Sequence, residues 1–235
     1  MRVCIVIPAH NEEGVLEANI ATLRDFLAKH PTGDAFIILV AENGSTDHTL
    51  DVAKDLSNRW RPDVRYWHSP LAGRGAALKA VWTATEADVV GYMDADLSTE
   101  LDALPRALEE IKKGADIVTG SRLTRGSKVG RVWSREVTSR VYNLFRRVAL
   151  GSPIRDSQCG FKFMRRDKVL SLLPRVEDDH WFFDTELLTR AEDAHLKVVE
   201  IPIVWAENRK STVKVFSTIV QEGKGIMRLR RRKPL

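Results

Sequence analysis

Six short apolar runs, rich in valine and isoleucine and separated by helix-period segments, constrain this chain more than any other feature. They are "RVCIVIP" from Arg2, "AFIILVAEN" from Ala35, "VRYWHS" from Val64, "ADVVGYMDAD" from Ala87, "ADIVTGS" from Ala115 and "KVVEIPIVW" from Lys197. Most are apolar almost throughout rather than alternating, which suits a sheet buried on both faces. Helical spacing fills the gaps at about 13–29, 49–58, 76–87 and 101–112, and in the first of these Leu16, Ile20, Leu23 and Leu27 share one face. Strand and helix in alternation predict an α/β fold with a mostly parallel mixed central sheet flanked by helices. A further helix is expected over 134–150. Ser134 suits its N-cap, Val137, Val141, Leu144, Phe145 and Val148 form an apolar stripe, and Gly151 with Pro153 ends it. Others are expected at 184–194 and 215–232. A length of 235 residues, with no repeat or linker, suits one domain.

In parallel sheets, ligands gather at the carboxyl ends of the strands. Here the first strand ends in "PAHNE", the second in "ENGSTD" and the fourth in "DAD", and "GRGAALK" follows the third. Asp94 and Asp96 are two apart along a strand, so both carboxylates point to one side. Like charges this close repel unless a cation sits between them. Mg²⁺ or Mn²⁺ accepts one or two carboxylates together with phosphate oxygens and water, so a metal carrying a diphosphate is the expected partner. The competing explanation places both acids at the N-terminus of the next helix, with Ser98 or Thr99 as its cap. "GRGAALK" lacks the third glycine of a dinucleotide fingerprint. It reads either as a turn into a helix whose N–H groups and Arg74 or Lys79 face an anion, or as a plain glycine turn.

The net charge of +5 is concentrated in two places. Eight basic residues face one acid between Ser121 and Arg147, and six basic residues face none from Gly223 onward. Such segments fit a local anionic partner, phosphate or a membrane surface, or else a solvated basic helix face. Aromatic residues do not interleave them as on single-strand-binding surfaces, so nucleic acid is not expected. The tail "KGIMRLRRRKPL" joins Ile226, Met227 and Leu229 to a basic run. It suits an interfacial anchor on anionic lipid or a frayed end, and Trp133 and Trp181 are either interfacial or buried. No window reaches the roughly 18 apolar residues of a spanning helix. The opening apolar run is too short for a secretory leader. Cys4 lies in a strand pattern and is expected as a buried thiol, and with only Cys159 besides, a reducing compartment fits.

"PAHNE", "ENGSTD", "GRGAALK" and "DAD", in this order and spacing, resemble the nucleotide-sugar half of family 2 glycosyltransferases, which have the GT-A fold. "GSR" at 120–122, "RDSQCGFKFM" at 155–164 and "WFFDTELL" at 181–188 are similar to the polyprenyl-phosphate branch, the dolichyl-phosphate glucose and mannose synthases, and lean towards the former. The resemblance implies one GT-A domain over 1–235: a nucleotide-sugar half at 1–125, an acceptor half at 126–213 and a basic helix at 214–235. It assigns the donor to Pro8, Ala9, Asn11 and Glu12, to Glu42, Asn43, Ser45 and Asp47, to Gly73, Arg74, Gly75 and Lys79, and to Asp94, Ala95 and Asp96. Glu12, Glu42 and Asp47 would line the nucleoside pocket, and Asp94 and Asp96 would hold the metal. Arg122 and Arg135, with Arg131 nearby, would grip a lipid phosphate, while Gln158, Lys162, Asp184 and Glu186 would close over the sugar. The family usually has Asp-Asp where this chain has Glu42-Asn43, which leaves uridine against guanosine open.

The expected activity is transfer of a hexose, glucose from UDP-glucose or mannose from GDP-mannose, to a polyprenyl phosphate with inversion. A phosphate acceptor needs a cationic clamp and no base. A saccharide hydroxyl would need a carboxylate base, with Asp184 or Glu186 as candidates. The lipid acceptor implies peripheral association with the cytoplasmic face of a membrane, with a membrane-protein partner or a homo-oligomer left open. Binding without catalysis, by a lipid-binding module, is the rival of another class.

Overall fold

The computed structural model describes residues 1–130, 133–206 and 215–231, with residues 133–139 and 215–221 described as helical backbone only. In chain order the elements are β1 (Arg2–Ala9), α1 (Leu16–Lys29), β2 (Ala35–Asn43), α2 (Thr49–Arg59), β3 (Val64–Ser69), α3 (Arg74–Ala84), β4 (Val89–Met93), α4 (Ala103–Lys112), β5 (Ile117–Ser121) and β6 (Lys128–Gly130). They continue with α5 (Trp133–Leu150), β7 (Phe161–Arg165), α6 (Arg166–Leu172), α7 (Phe183–Asp193), β8 (Val198–Pro202), β9 (Val204–Ala206) and α8 (Val215–Arg231). Each of the six expected strands and seven expected helices is present, with ends shifted by up to three residues.

Seven strands form the main sheet in the order β3-β2-β1-β4-β7-β5-β8, and β6 pairs with β9 apart from it. All neighbours in the main sheet are parallel except β7, which runs antiparallel to both β4 and β5. The sequence reading took "GFKFM" only as part of a motif, because a five-residue strand leaves little periodicity to read. Burial on both faces explains the continuous apolar runs: every residue of β4 and β5 is buried. Gly91 is required in β4, since a Cβ there would fall on the Phe163 ring of β7. One core cluster joins β1 to α1 and α4, and a second packs α3 and α7 on the opposite face. The Leu16, Ile20 and Leu23 stripe of α1 is buried in the first, as its spacing predicts.

Two apolar stripes are not where spacing alone would put them. On α5, Asn143 and Arg146 face inward, and Val141, Leu144, Phe145 and Val148 are exposed. On α8, Ile226 and Leu229 pack against Phe182, so among the described residues of the tail Met227 is the one large apolar side chain that is exposed. The expected interfacial anchor joined all three to the basic run; Ile226 and Leu229 are instead buried in the protein. Among the described residues no helix is long and apolar enough to cross a membrane.

Candidate active site

Strand β4 lies on the opposite side of β1 from β2, so the crossover direction reverses between β1 and β4. A crevice opens beyond the carboxyl ends of strands at such a switch point. The chain leaves β4 there as Asp94-Ala95-Asp96. The Asp94 N–H donates to Gly160 O at 3.0 Å, the Asp94 carbonyl accepts the Leu97 N–H at 3.0 Å, and Asn19 Nδ2 on α1 donates to Ala95 O at 2.8 Å. Asp96 Oδ1 accepts the Ser98 N–H at 3.0 Å. Helix α4 begins only at Ala103, with no acid in its first turn and no side-chain cap. Ser98 and Thr99 are buried ahead of it. The helix-cap explanation of the acidic pair therefore fails, because the dipole acts within the first turn.

Asp94 sits 3.8 Å from the Arg74 guanidinium, with 38 % of its side chain open. Crowding by protein pushes its carboxyl up to about 6; negative Asp96 and Asp184 add to this and Arg74 and Arg122 oppose it. An outer face left open on a site with surplus negative charge fits a divalent cation. Among the described residues no group of three or more His, Cys, Asp or Glu side chains is placed to hold a metal ion. The pair thus suits a hard ion that takes one or two carboxylates and completes its shell with phosphate and water. The loop at 156–160 closes against the pair: a Cβ on Gly160 would fall on the Asp94 carboxylate. Gly160→Ala is expected to displace that carboxylate and lower turnover by about 10²-fold, the cost of an ångström-scale misplacement. Steady-state kinetics on a variant with an unchanged melting curve checks this.

Behind Asp94 lies a buried charge cluster. Asp184, with 2 % of its side chain exposed, accepts from Arg74 Nη2 and Tyr92 Oη and pairs with Lys162 Nζ at 3.1 Å. The β4–β7 register sets Lys162 opposite Tyr92, and Lys162 Nζ also donates to Cys159 O at 2.7 Å. Arg74 lies over the rings of Tyr92 and Trp181, at 4.9 and 5.0 Å, so half-exposed Trp181 roofs this cluster. Glu186 is fully buried and is held by Arg228 and the Asp178 N–H. Neither Asp184 nor Glu186 is open to a sugar hydroxyl in this conformation, and Lys162 is internal. Lys79 is likewise taken up inside the protein rather than facing a ligand: its Nζ reaches Asp179 Oδ1 at 2.5 Å and Val176 O at 3.1 Å. The Asp179 carbonyl accepts the Ala76 N–H at the start of α3, and Phe183 leaves no room for a Cβ at Gly75. "GRGAALK" is thus the Gly73 turn and the start of α3, packed under the loop before α7, with Arg74 reaching Asp94.

The other strand ends are tied together by their own polar side chains. Asn43 Nδ2 donates to Ala9 O at 3.0 Å and to Ala41 O at 3.2 Å, while Asn43 Oδ1 accepts the Gly73 N–H at 3.1 Å. One amide thus joins β1, β2 and the α3 turn, which Asp could not do. Buried Glu42 pairs in register with Ala9, accepts the Ser45 N–H at 2.7 Å and bonds His68. Burial raises its carboxyl, but the Ser45 and His68 contacts outweigh this and leave it below the usual range. Asn11, at φ 58, bonds Ser45 Oγ through its N–H at 3.1 Å and accepts the Thr46 N–H at 2.8 Å. Asp47 accepts the Thr49 N–H at 3.0 Å, and Thr49 Oγ1 in turn accepts the Glu12 N–H at 2.7 Å. Pro8, at the end of β1, belongs to the same edge.

On the acceptor side, Arg122 is gripped by Asp156 through Nε and Nη2 at 2.7 and 2.8 Å, a bidentate fork. Its charge therefore does not stand alone for a lipid phosphate. Arg131 and the side chain of Arg135 lie outside the described residues, as does that of Trp133. Arg146 and Arg228 point inward, so the described basic residues of these two segments do not all share one outward face. Gln158 donates to Glu222 of α8, which also accepts from Tyr142 of α5. Tyr92, Asp156 and Glu222 were missed by sequence reasoning. Tyr92 had a signal, being two residues before Asp94 on the same face; the others had none.

Burial pushes the Glu222 carboxyl up to about 7, with Asp184 and Asp178 adding to the effect and Tyr142 and Gln158 opposing it. Its folded-state value lies above the unfolded one, so its contribution to stability is complete below about pH 4.3 and is lost as pH rises through 7. Glu222→Gln is expected to flatten this limb and to raise Tm at pH 8 more than at pH 5, as read by thermal melts.

An acidic pair at the switch point of a mostly parallel sheet, with one antiparallel strand behind it, defines a GT-A glycosyltransferase fold. A crystal structure of glucosyl-3-phosphoglycerate synthase from Mycobacterium tuberculosis, in complex with Mn²⁺, uridine diphosphate and glucosyl-3-phosphoglycerate, matches over 97% of this chain and 79% of that one. The TM-score is 0.71 at 17% identity, a likeness of fold. The family model of glycosyl transferase family 2 matches residues 4–173, and the chain belongs to that family. It is 36% identical over 230 residues to Glycosyltransferase AglD of Haloferax volcanii, covering 97% of this chain and 37% of that protein. It is 30% identical over 227 residues to Dolichyl-phosphate beta-glucosyltransferase ALG5C of Trichomonas vaginalis, covering 91% and 66%. With Undecaprenyl-phosphate mannosyltransferase of Micrococcus luteus it shares 32% over 228 residues, covering 94% and 90%. The chain therefore spans little more than a third of the first relative and about two thirds of the second.

Proposed function

We propose that this chain is an inverting hexosyltransferase that moves a hexose from a nucleoside-diphosphate sugar, UDP-glucose first among candidates, to a polyprenyl phosphate, giving a β-linked product. The observation that carries the reading is the Asp94/Asp96 pair at the sheet's switch point, left open on its outer face. Relatives named for dolichyl phosphate and for undecaprenyl phosphate, each aligned over more than nine tenths of this chain, support the acceptor class. Asp94 and Asp96 would hold Mg²⁺ or Mn²⁺, which when bound neutralises charge on the departing nucleoside diphosphate. Arg74 limits the repulsion between that site and the buried Asp184. The Ala9–Glu12 and Asn43–Asp47 loops, locked by their hydrogen bonds, form a preorganised wall for the nucleoside. A phosphate monoester with a second pKa of about 6 is mostly dianionic at neutral pH and needs no general base. The buried state of Asp184 and Glu186 favours that acceptor over a saccharide hydroxyl. A lipid acceptor in turn supports peripheral association with the cytoplasmic face of a membrane.

The test is a donor screen with purified protein, Mg²⁺ or Mn²⁺, a short polyprenyl phosphate, and labelled UDP-glucose beside GDP-mannose. Metal-dependent label in the lipid product is the expected result, and the donor used decides what Glu42-Asn43 selects. Transfer to a soluble saccharide with none to the lipid phosphate overturns the acceptor assignment.

A further inference from the structure

Helix α5 shows its apolar stripe to solvent. Val141, Leu144, Phe145 and Val148 are 62%, 60%, 57% and 76% exposed, at the i, i+3, i+4, i+7 spacing of a single face. The opposite face is anchored: Asn143 is buried, and Arg146 donates to Ser152 Oγ at 3.1 Å and to the Ile154 carbonyl. The stripe is therefore fixed outward rather than frayed. Four large apolar side chains together on a surface mark a contact. By helical spacing Arg140 and Arg147, seven apart, fall on one edge of the stripe, and the nearest acid in the helix is Glu136, one turn before Arg140. On the neighbouring α8, exposed Met227 lies between Lys224 and Arg231 along a groove, the same union of apolar and cationic groups.

We infer that the α5 stripe is a docking surface for a bilayer carrying anionic headgroups. A partner must offer apolar depth beside negative charge, and an anionic lipid surface offers both. A second copy fits less well, because an antiparallel two-fold contact places this face against itself and brings the arginine edges of both copies together. Nucleic acid fits poorly, since three of the four exposed side chains are aliphatic and cannot stack on bases. The inference rests on the proposed lipid-phosphate acceptor for the reason that a bilayer is met at all. It adds which surface meets it. Through Tyr142, Glu222 and Gln158, the docked helix is joined by side-chain hydrogen bonds to the loop over Asp94.

The experiment is flotation of the full chain with phosphatidylcholine vesicles containing or lacking phosphatidylglycerol, for the parent and for Leu144→Ser/Phe145→Ser. Both side chains are mostly solvent-exposed, so the variant is expected to fold; its melting curve checks that. Expected are parent binding at least about fivefold weaker without the anionic lipid, and variant binding weaker by more than about tenfold. The variant is also expected to keep transfer to a short water-soluble polyprenyl phosphate while losing transfer to a long-chain acceptor in vesicles. A parent that does not float, or a variant that floats equally well, overturns the inference. So does a variant that still floats but changes from dimer to monomer in sedimentation, which assigns the stripe to a second copy. A parent that floats in a stripe-dependent way yet transfers to neither acceptor leaves the surface standing and removes the proposed function.

Discussion

Asp96→Asn is expected to lower sugar transfer by about 10³-fold, the scale of losing several kcal/mol of charge stabilisation at the leaving group. Melting is expected to stay within a few degrees of the parent. The substitution is isosteric, and Asn Oδ1 can still accept the Ser98 N–H, so the turn after β4 keeps its hydrogen bond. The change removes the negative charge of Asp96 from that turn. Titration with Mn²⁺ offers a second readout: the variant is expected to bind the ion far more weakly in the presence of a nucleoside diphosphate. If transfer persists within about tenfold of the parent, metal support by this pair is wrong, and Arg74 and Arg122 become the groups that meet the diphosphate.

Asp184→Ala is expected to cost about 3–5 kcal/mol of stability, because it leaves Arg74 and Lys162 buried without their shared carboxylate. For a chain of this length that corresponds to a fall in Tm of roughly 10 °C. Tyr92 loses its acceptor as well, so the damage reaches the face of β4 that also carries Asp94. The same variant separates two roles for Asp184. A general base would lose turnover while the fold stayed intact, and the loss relative to the parent would be greatest at high pH, where a base is deprotonated, and smallest at low pH. An internal ion-pair residue loses stability first and activity in proportion to the unfolded fraction. Its 2 % exposure and three partners favour the second outcome.

The strands and helices were legible in the sequence because apolar periodicity is a local property. Leu16, Ile20 and Leu23 announce both a helix and the face that the core will cover, and the long apolar runs announce a sheet covered on both sides. The acidic pair was legible as well, since residues two apart in a strand must share a side. For Asp94 and Asp96 the sequence posed two alternatives, and the tertiary structure removed the helix-cap one by starting α4 at Ala103 rather than beside the acids.

What the sequence could not contain is distance between remote residues. Arg74 meets Asp184 across 110 positions, and Gln158 meets Glu222 across 64. Nothing local distinguishes Asp184 at a helix start, free to act as a base, from Asp184 buried under Arg74 and Lys162. The same holds for direction. Periodicity shows that Val141, Leu144, Phe145 and Val148 lie together on α5, and that Ile226 and Leu229 lie together on α8. It does not show which stripe the core covers, because a packed interior and a bilayer both reward the same apolar pattern. By itself the sequence determined most of the elements, their alternation and the acidic strand end, but not short elements such as β7 and α6. The tertiary structure alone decided which charges neutralise one another and which apolar face is left for a partner. Those outcomes depend on burial and on the distance between charges, and both exist only once the chain has closed on itself.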